Sequence, residues 1–160
     1  MKVIGIEHIG IAVKSIDKGS PFWEHILGIK PTGREEVLDE GVETGIYNTG
    51  NGKIELLESV KSDSAIQKFL DKKGEGIHHI CLKVDDVYSA ISELKEKGIS
   101  VIYATPKKGA EGFLVTFIHP KDSGGEGARQ VPDRRDPGGR HHLDLQSGGG
   151  LPVCSGFCGG

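Results

Sequence analysis

Three side chains in this sequence have the chemistry to hold a divalent cation: His8, Glu55 and His79. The histidines stand at equivalent points of a repeated stretch, IEHIGIAV at 6–13 and IHHICLKV at 77–84. Laid over each other, His8 meets His79, Ile9 meets Ile80, Ile11 meets Leu82 and Val13 meets Val84. Alternate side chains of a strand share a face, so His8, Gly10 and Ala12 oppose Ile9, Ile11 and Val13. The second copy divides His79, Cys81 and Lys83 from Ile80, Leu82 and Val84 in the same way. Each strand has an apolar back to bury against a helix and a front bearing a histidine beside mostly small residues. Two such fronts facing each other make a two-histidine pocket. The chain reads as a duplicated module with a metal site between its halves.

Glu55 supports that reading. Within KIELLES at 53–59 it faces opposite to Ile54 and Leu56. A carboxylate on the interior of a sheet is costly unless it is paired, hydrogen-bonded or bound to metal. Imidazole nitrogen and carboxylate oxygen suit zinc, nickel, cobalt, iron or manganese. Fewer protein ligands than the ion can take leaves positions open for water or substrate, the arrangement of a catalytic ion. His78, next to His79, points to the other face and reads as structural or hydrogen-bonded, whereas His25 and His119 do not repeat. Cys81 reads as a small buried hydrophobe rather than a nucleophile. The glycine clusters at 50–52, 109–112 and 123–125 read as turns.

The elements that must position these residues follow from periodicity. A helix is expected over 14–29, with Ile16, Phe22, Trp23, Ile26 and Leu27 as its apolar stripe, Ser15 or Asp17 as cap and Gly28 as stop. Its counterpart over 85–99 places Val87, Ala90, Ile91 and Leu94 at helical spacing and stops at Gly98. Strands are expected at 30–39, 43–48 and 53–59, with TGNG at 49–52 as a tight turn between the last two. The first module is therefore strand, helix and three strands. A linking helix over 62–73 carries Ile66, Phe69 and Leu70 on one face. After the second helix come strands near 99–103 and 113–119, separated by KKGAEG. Symmetry calls for one more strand, which no run of residues announces.

Composition sets outer bounds. The chain has 160 residues, 36% hydrophobic and 27% charged, with a formal charge of −3. This describes a soluble globular chain without the electrostatic footprint of a nucleic-acid or anionic-membrane partner. No apolar run approaches the roughly 18 residues of a membrane span, and the opening residues lack a signal-peptide pattern, so a cytoplasmic address is expected. Cys154 and Cys158 lie in a Gly-rich tail and form no framework with Cys81. Before Gly124 the chain has fifteen lysines and one arginine; the last 37 residues have four arginines and no lysine. We read 1–125 as one domain of two modules, about 1–60 and 75–125. Residues 126–160 read as an atypical Gly/Arg-rich tail, either a natural flexible tail or the product of a changed coding frame or vector sequence. The shift from A/T-rich to G/C-rich codon types favours the second.

The stretches IEHIGIAV, KIELLES, GIHHICLKVDD, LKEKGI and PKKGAEGFLVTFIHPKDSGG resemble the methylmalonyl-CoA epimerase family of the glyoxalase, or vicinal oxygen chelate, superfamily. The resemblance covers about residues 3 to 125. It implies an α+β fold in which two paired βαβββ modules form a cupped mixed sheet around a divalent metal ion, with cobalt, zinc, nickel or manganese in question. The ligands carried over by position are His8, Glu55 and His79. A fourth ligand, a glutamate of the last strand, falls on Arg129; Glu126 and Asp144 are possible substitutes. The implied reaction interconverts (R)- and (S)-methylmalonyl-CoA by α-proton abstraction through a metal-stabilised enolate. One of its acid–base groups is the missing glutamate; the other falls near GVETG, where the matched place is Thr44 and Glu43 is the nearest acid. Lactoylglutathione lyase, acting on a glutathione adduct, is the alternative that Glu55 favours. A non-catalytic binding protein of the same fold is the second alternative, and the ligand set argues against it. A homodimer is expected, because modules of this fold commonly pair across subunits.

Overall fold

The computed structural model describes residues 1–123 and the strand Ser155–Cys158. Its main sheet contains β1 (Val3–Ala12), β2 (Pro31–Val37), β3 (Val42–Asn48), β4 (Lys53–Ser59), β5 (Gly76–Val84) and β8 (Ser155–Cys158). The order is β2-β3-β4-β1-β5-β8, so the two repeated strands, β1 and β5, lie side by side at the centre. They run antiparallel, while β4 runs parallel to β1 and β8 parallel to β5. A small second sheet pairs β6 (Lys107–Lys108) with β7 (Leu114–Val115). The architecture is α+β and glyoxalase-type, as the sequence suggests, and the sheet does not close.

Helices cover the sheet as the apolar backs require. Helix α1 (Ile16–Pro21) packs Ile16 with Val13, Tyr47 and Leu56, joined by Ile11, Trp23 and Ile54, on the face away from His8. Helix α3 (Val87–Glu96) does the same for β5, burying Val87, Ala90, Ile91 and Leu94 against Val84 and Leu82. The linking helix α2 (Ala65–Lys73) crosses to the other face and packs Ile66 and Leu70 against Ala12, Leu57 and Val42. It forms one wall of the cup that holds the histidines.

Local chemistry sets the helix ends. Ser15 caps α1 by accepting from the Lys18 amide at 3.4 Å. Asp86 caps α3 through the Tyr88 and Ser89 amides, and Ser64 caps α2 through the Gln67 amide. Gly28 and Gly98 both have positive φ, 69° and 75°, at the two helix stops. The single helix expected over 14–29 is in fact two pieces. Pro21 has no N–H to donate, and the chain continues as a π-helical turn at Phe22–Ile26, with the Leu27 amide reaching the Phe22 carbonyl at 3.0 Å.

The second half departs further from its expected pattern. In place of full strands at 99–103 and 113–119 there are the short β6–β7 pair and one bridge between Val101 and Ile118. The tail, read as lying outside the fold, contributes β8 to the sheet. The outer edge of β5 offers a row of unpaired backbone groups, and backbone pairing asks little of side-chain type.

Candidate metal centre

Strands β1, β4 and β5 bring His8, Glu55 and His79 to one pocket. Gly10 is the hinge of that arrangement: it pairs with Glu55 on one side and His79 on the other. His8 Nε2 lies 2.9 Å from His79 Nε2 and 3.5 Å from Glu55 Oε2. The two imidazole rings meet edge to face, 5.0 Å between centroids. All three side chains are buried, Glu55 to 4% exposure. Burial pushes the Glu55 carboxyl up to about 7, and burial holds His79 well below the usual imidazole value, with His8 and His78 adding to the effect.

His8 Nε2 thus has a second imidazole nitrogen and a carboxylate oxygen within 3.5 Å in one buried pocket, and these donor types match zinc, cobalt, nickel or manganese. The cavity they face, about 100 Å³, is walled by Thr44, Ile66, Phe113 and Phe117. A different grouping, Glu7, His8 and Cys81, brings its three ligand atoms all within 4.8 Å of one another. Its carboxylate is already engaged: Glu7 Oε1 accepts from Lys53 Nζ at 2.7 Å and Oε2 bonds His8 Nδ1. A cation there would have to displace the lysine ammonium, so the Nε2 side is the better cradle.

Glu43 is not brought to this pocket. Thr44, fully buried, takes the inward position on β3, and the one-residue offset turns Glu43 to the opposite face. There Arg34 Nε donates to Glu43 Oε1 at 2.8 Å and Arg34 Nη1 donates to Asp17 at 2.5 Å. Sequence reasoning missed Glu40, which lines the cavity and accepts from the Tyr103 hydroxyl at 2.9 Å. It also passed over Glu7 and Lys53. The signal for Glu7 was present, because it precedes His8 as His78 precedes His79 in the repeat.

The repeat also bears on the fourth ligand. Glu55 pairs with Gly10, and the repeat-mate of Gly10 is Cys81, which pairs with Gly156 of β8. A glycine therefore holds the backbone place in the second half that Glu55 holds in the first. Glu126, Arg129 and Asp144 lie outside the described residues.

Fold and pocket together define a duplicated α+β protein with a histidine- and carboxylate-lined cup. The family model of the Glyoxalase/Bleomycin resistance protein/Dioxygenase superfamily matches residues 7–117, and the chain belongs to that superfamily, within its methylmalonyl-CoA epimerase group. It is 40% identical over 121 residues to the mitochondrial methylmalonyl-CoA epimerase of Homo sapiens, covering 75% of this chain and 69% of that protein. The ethylmalonyl-CoA/methylmalonyl-CoA epimerase of Cereibacter sphaeroides is 38% identical over 122 residues, covering 75% of this chain and 91% of that one. Among solved structures, a variant of Streptomyces coelicolor methylmalonyl-CoA epimerase in complex with 2-nitronate-propionyl-CoA superposes with a TM-score of 0.78 at 27% identity, covering 99% of this chain and 95% of that chain. Among the described residues, no helix is long and apolar enough to cross a membrane.

Proposed function

We propose that this chain interconverts (R)- and (S)-methylmalonyl-CoA by removing and returning the proton on the carbon next to the thioester, at a divalent ion held by His8, Glu55 and His79. The observation that carries this reading is the convergence of those three donors in a buried cup, in a chain whose relatives bear the epimerase name. The ion, when bound, supplies positive charge where the thioester oxygen becomes negative. His8 and His79 would offer Nε2 to that ion, and the apolar side chains of Ile66, Phe113 and Phe117 line the cavity beside it.

The proton-carrying role passes from Glu43 to Glu40. Of the carboxylates lining the cavity, Glu7 is engaged by Lys53 and His8, and Glu55 belongs to the ligand set. That leaves Glu40, whose Oε1 is held by the Tyr103 hydroxyl, to take the α-proton. The working form is a homodimer, to be checked by sedimentation.

The test is α-proton exchange of methylmalonyl-CoA in deuterated water with added cobalt, on this chain and on one in which Val-Leu-Ile-Glu follows Gly125. Exchange that tracks cobalt loading is expected. Metal bound without exchange in either chain would overturn the CoA reading and turn attention to glutathione hemithioacetals.

A further inference from the structure

The antiparallel ladder between β1 and β5 slips at two places beside the histidines. Ile6 pairs with Leu82 and His8 with Cys81, so Glu7 is an extra residue on β1. Gly10 pairs with His79 and Ile11 with Ile77, so His78 is an extra residue on β5. The two bulged residues are repeat-mates, each directly preceding a pocket histidine. A bulge takes a side chain off the strict alternation and re-aims it. Both are re-aimed alike: Glu7 Oε2 bonds His8 Nδ1, and His78 Nδ1 lies 2.9 Å from His79 Nδ1.

We propose that Glu7 and His78 are positioning residues of the candidate metal centre, each holding Nδ1 of the histidine that follows it so that Nε2 turns toward the shared point. The proposal rests on the metal reading given above. Both are themselves anchored. Glu7 is gripped by Lys53, which also pairs with Glu111, and His78 stacks edge-on against Phe69 of α2 at 5.1 Å.

Their chemistry differs, and so do their roles. A carboxylate only accepts, so in the neutral imidazole Glu7 fixes the proton of His8 on Nδ1, which leaves Nε2 bare. An imidazole can accept or donate, so His78 permits either tautomer of His79. In the metal-free protein the 2.9 Å contact between the two Nε2 atoms needs one proton, and with His8 Nε2 bare it comes from His79. His79 Nδ1 then accepts from His78. An ion gripped by both Nε2 atoms requires the His79 proton to move to Nδ1 and the contact with His78 to reverse. Glu7 is thus a fixed support and His78 a reversible one.

Histidine side-chain ¹⁵N spectra, with zinc titration by calorimetry, test this on the full chain and on Glu7→Gln and His78→Phe. In the wild type, His8 is expected as the Nδ1–H form with and without zinc, while His79 passes from Nε2–H to Nδ1–H on loading. Each variant is expected to weaken zinc binding about ten- to a hundredfold with backbone spectra otherwise native, and Glu7→Gln to release the His8 tautomer. Because His78→Phe keeps the stack on Phe69, it answers for its bulge even if Glu7→Gln does not fold. Zinc affinity within twofold of wild type in both variants, with the His8 tautomer unaltered, would overturn the proposal. So would a sulfur-to-cobalt charge-transfer band in the cobalt-loaded protein that Cys81→Ser abolishes, since it would make Cys81 a ligand in the grouping with Glu7. A wild type that binds no zinc would sink the metal reading alone; the His8 tautomer in metal-free Glu7→Gln would still decide the positioning role.

Discussion

The ring of His79 lies across Gly10 so closely that a Cβ on the glycine would sit 2.7 Å from both Nδ1 and Nε2. The space under the imidazole exists only because residue 10 has no side chain. Gly10→Ala should therefore force His79 aside, at a cost of about 1–3 kcal/mol typical of overpacking. Urea denaturation gives the stability loss, and His79 ¹⁵N shifts report the displaced ring. An alanine variant of unchanged stability and spectrum would show that β1 and β5 yield more readily than their pairing implies.

His79→Ala should retain the fold and lose stoichiometric metal, because it removes one of three donors without touching the helix-packed faces of the sheet. Cys81→Ser should keep the metal. Inductively coupled plasma analysis of dialysed protein distinguishes this outcome from one in which the Glu7, His8 and Cys81 grouping is the true site.

Titration of Glu55 gives a signature in metal-free protein. Its folded value, about 7, lies above the ordinary 4.5, so between those values the folded chain holds a proton that the unfolded chain has lost. Stability from this group is full below about 4.5 and falls as pH rises toward 7, by up to about 3 kcal/mol. His78, held down to about 4 by burial, and His79, also lowered, act oppositely: the unfolded chain binds their protons first, so their contribution is lost as pH falls below 6.5. Wild-type stability mixes these slopes, so the measurement is a difference. Glu55→Gln should gain on wild type as pH rises from 4.5 to 7, by urea midpoints in the presence of chelator, and a flat difference would contradict the burial of an acid there.

Glu40→Gln should lower kcat for α-proton exchange by about 10²–10⁴-fold, the usual scale for loss of a general base. Glu43→Gln should leave exchange within a few-fold, since its surface pair with Arg34 is worth at most about 1 kcal/mol of stability. The reverse ranking would return Glu43 to the pocket.

Much of this could be read from the residues. The repeat of IEHIGIAV in IHHICLKV located both histidines and the strands that bear them, though not the side-by-side pairing of those strands at the centre of the sheet, and alternation around Glu55 gave its face. Glycine stops and polar caps gave helix ends to within a few residues. What escaped was set by geometry that periodicity does not encode. Strict alternation put His78 on the far face, but a bulge swings it back onto His79. A one-residue difference on β3 decided between Thr44 and Glu43. Pro21 split the first helix, and the short β6–β7 pair replaced two longer strands, because little in 99–119 alternates cleanly.

Gly156 gives the duplicated protein a handedness that its repeat alone would not. Two equal halves would enclose an ion evenly, with a histidine and a carboxylate from each. Here the first half brings His8 and Glu55, the second brings His79 and, at the matching backbone place, a residue with no side chain. Among the described residues, an ion held by this chain would meet a carboxylate from β4 on one flank, and from the matching place on β8 no side chain at all.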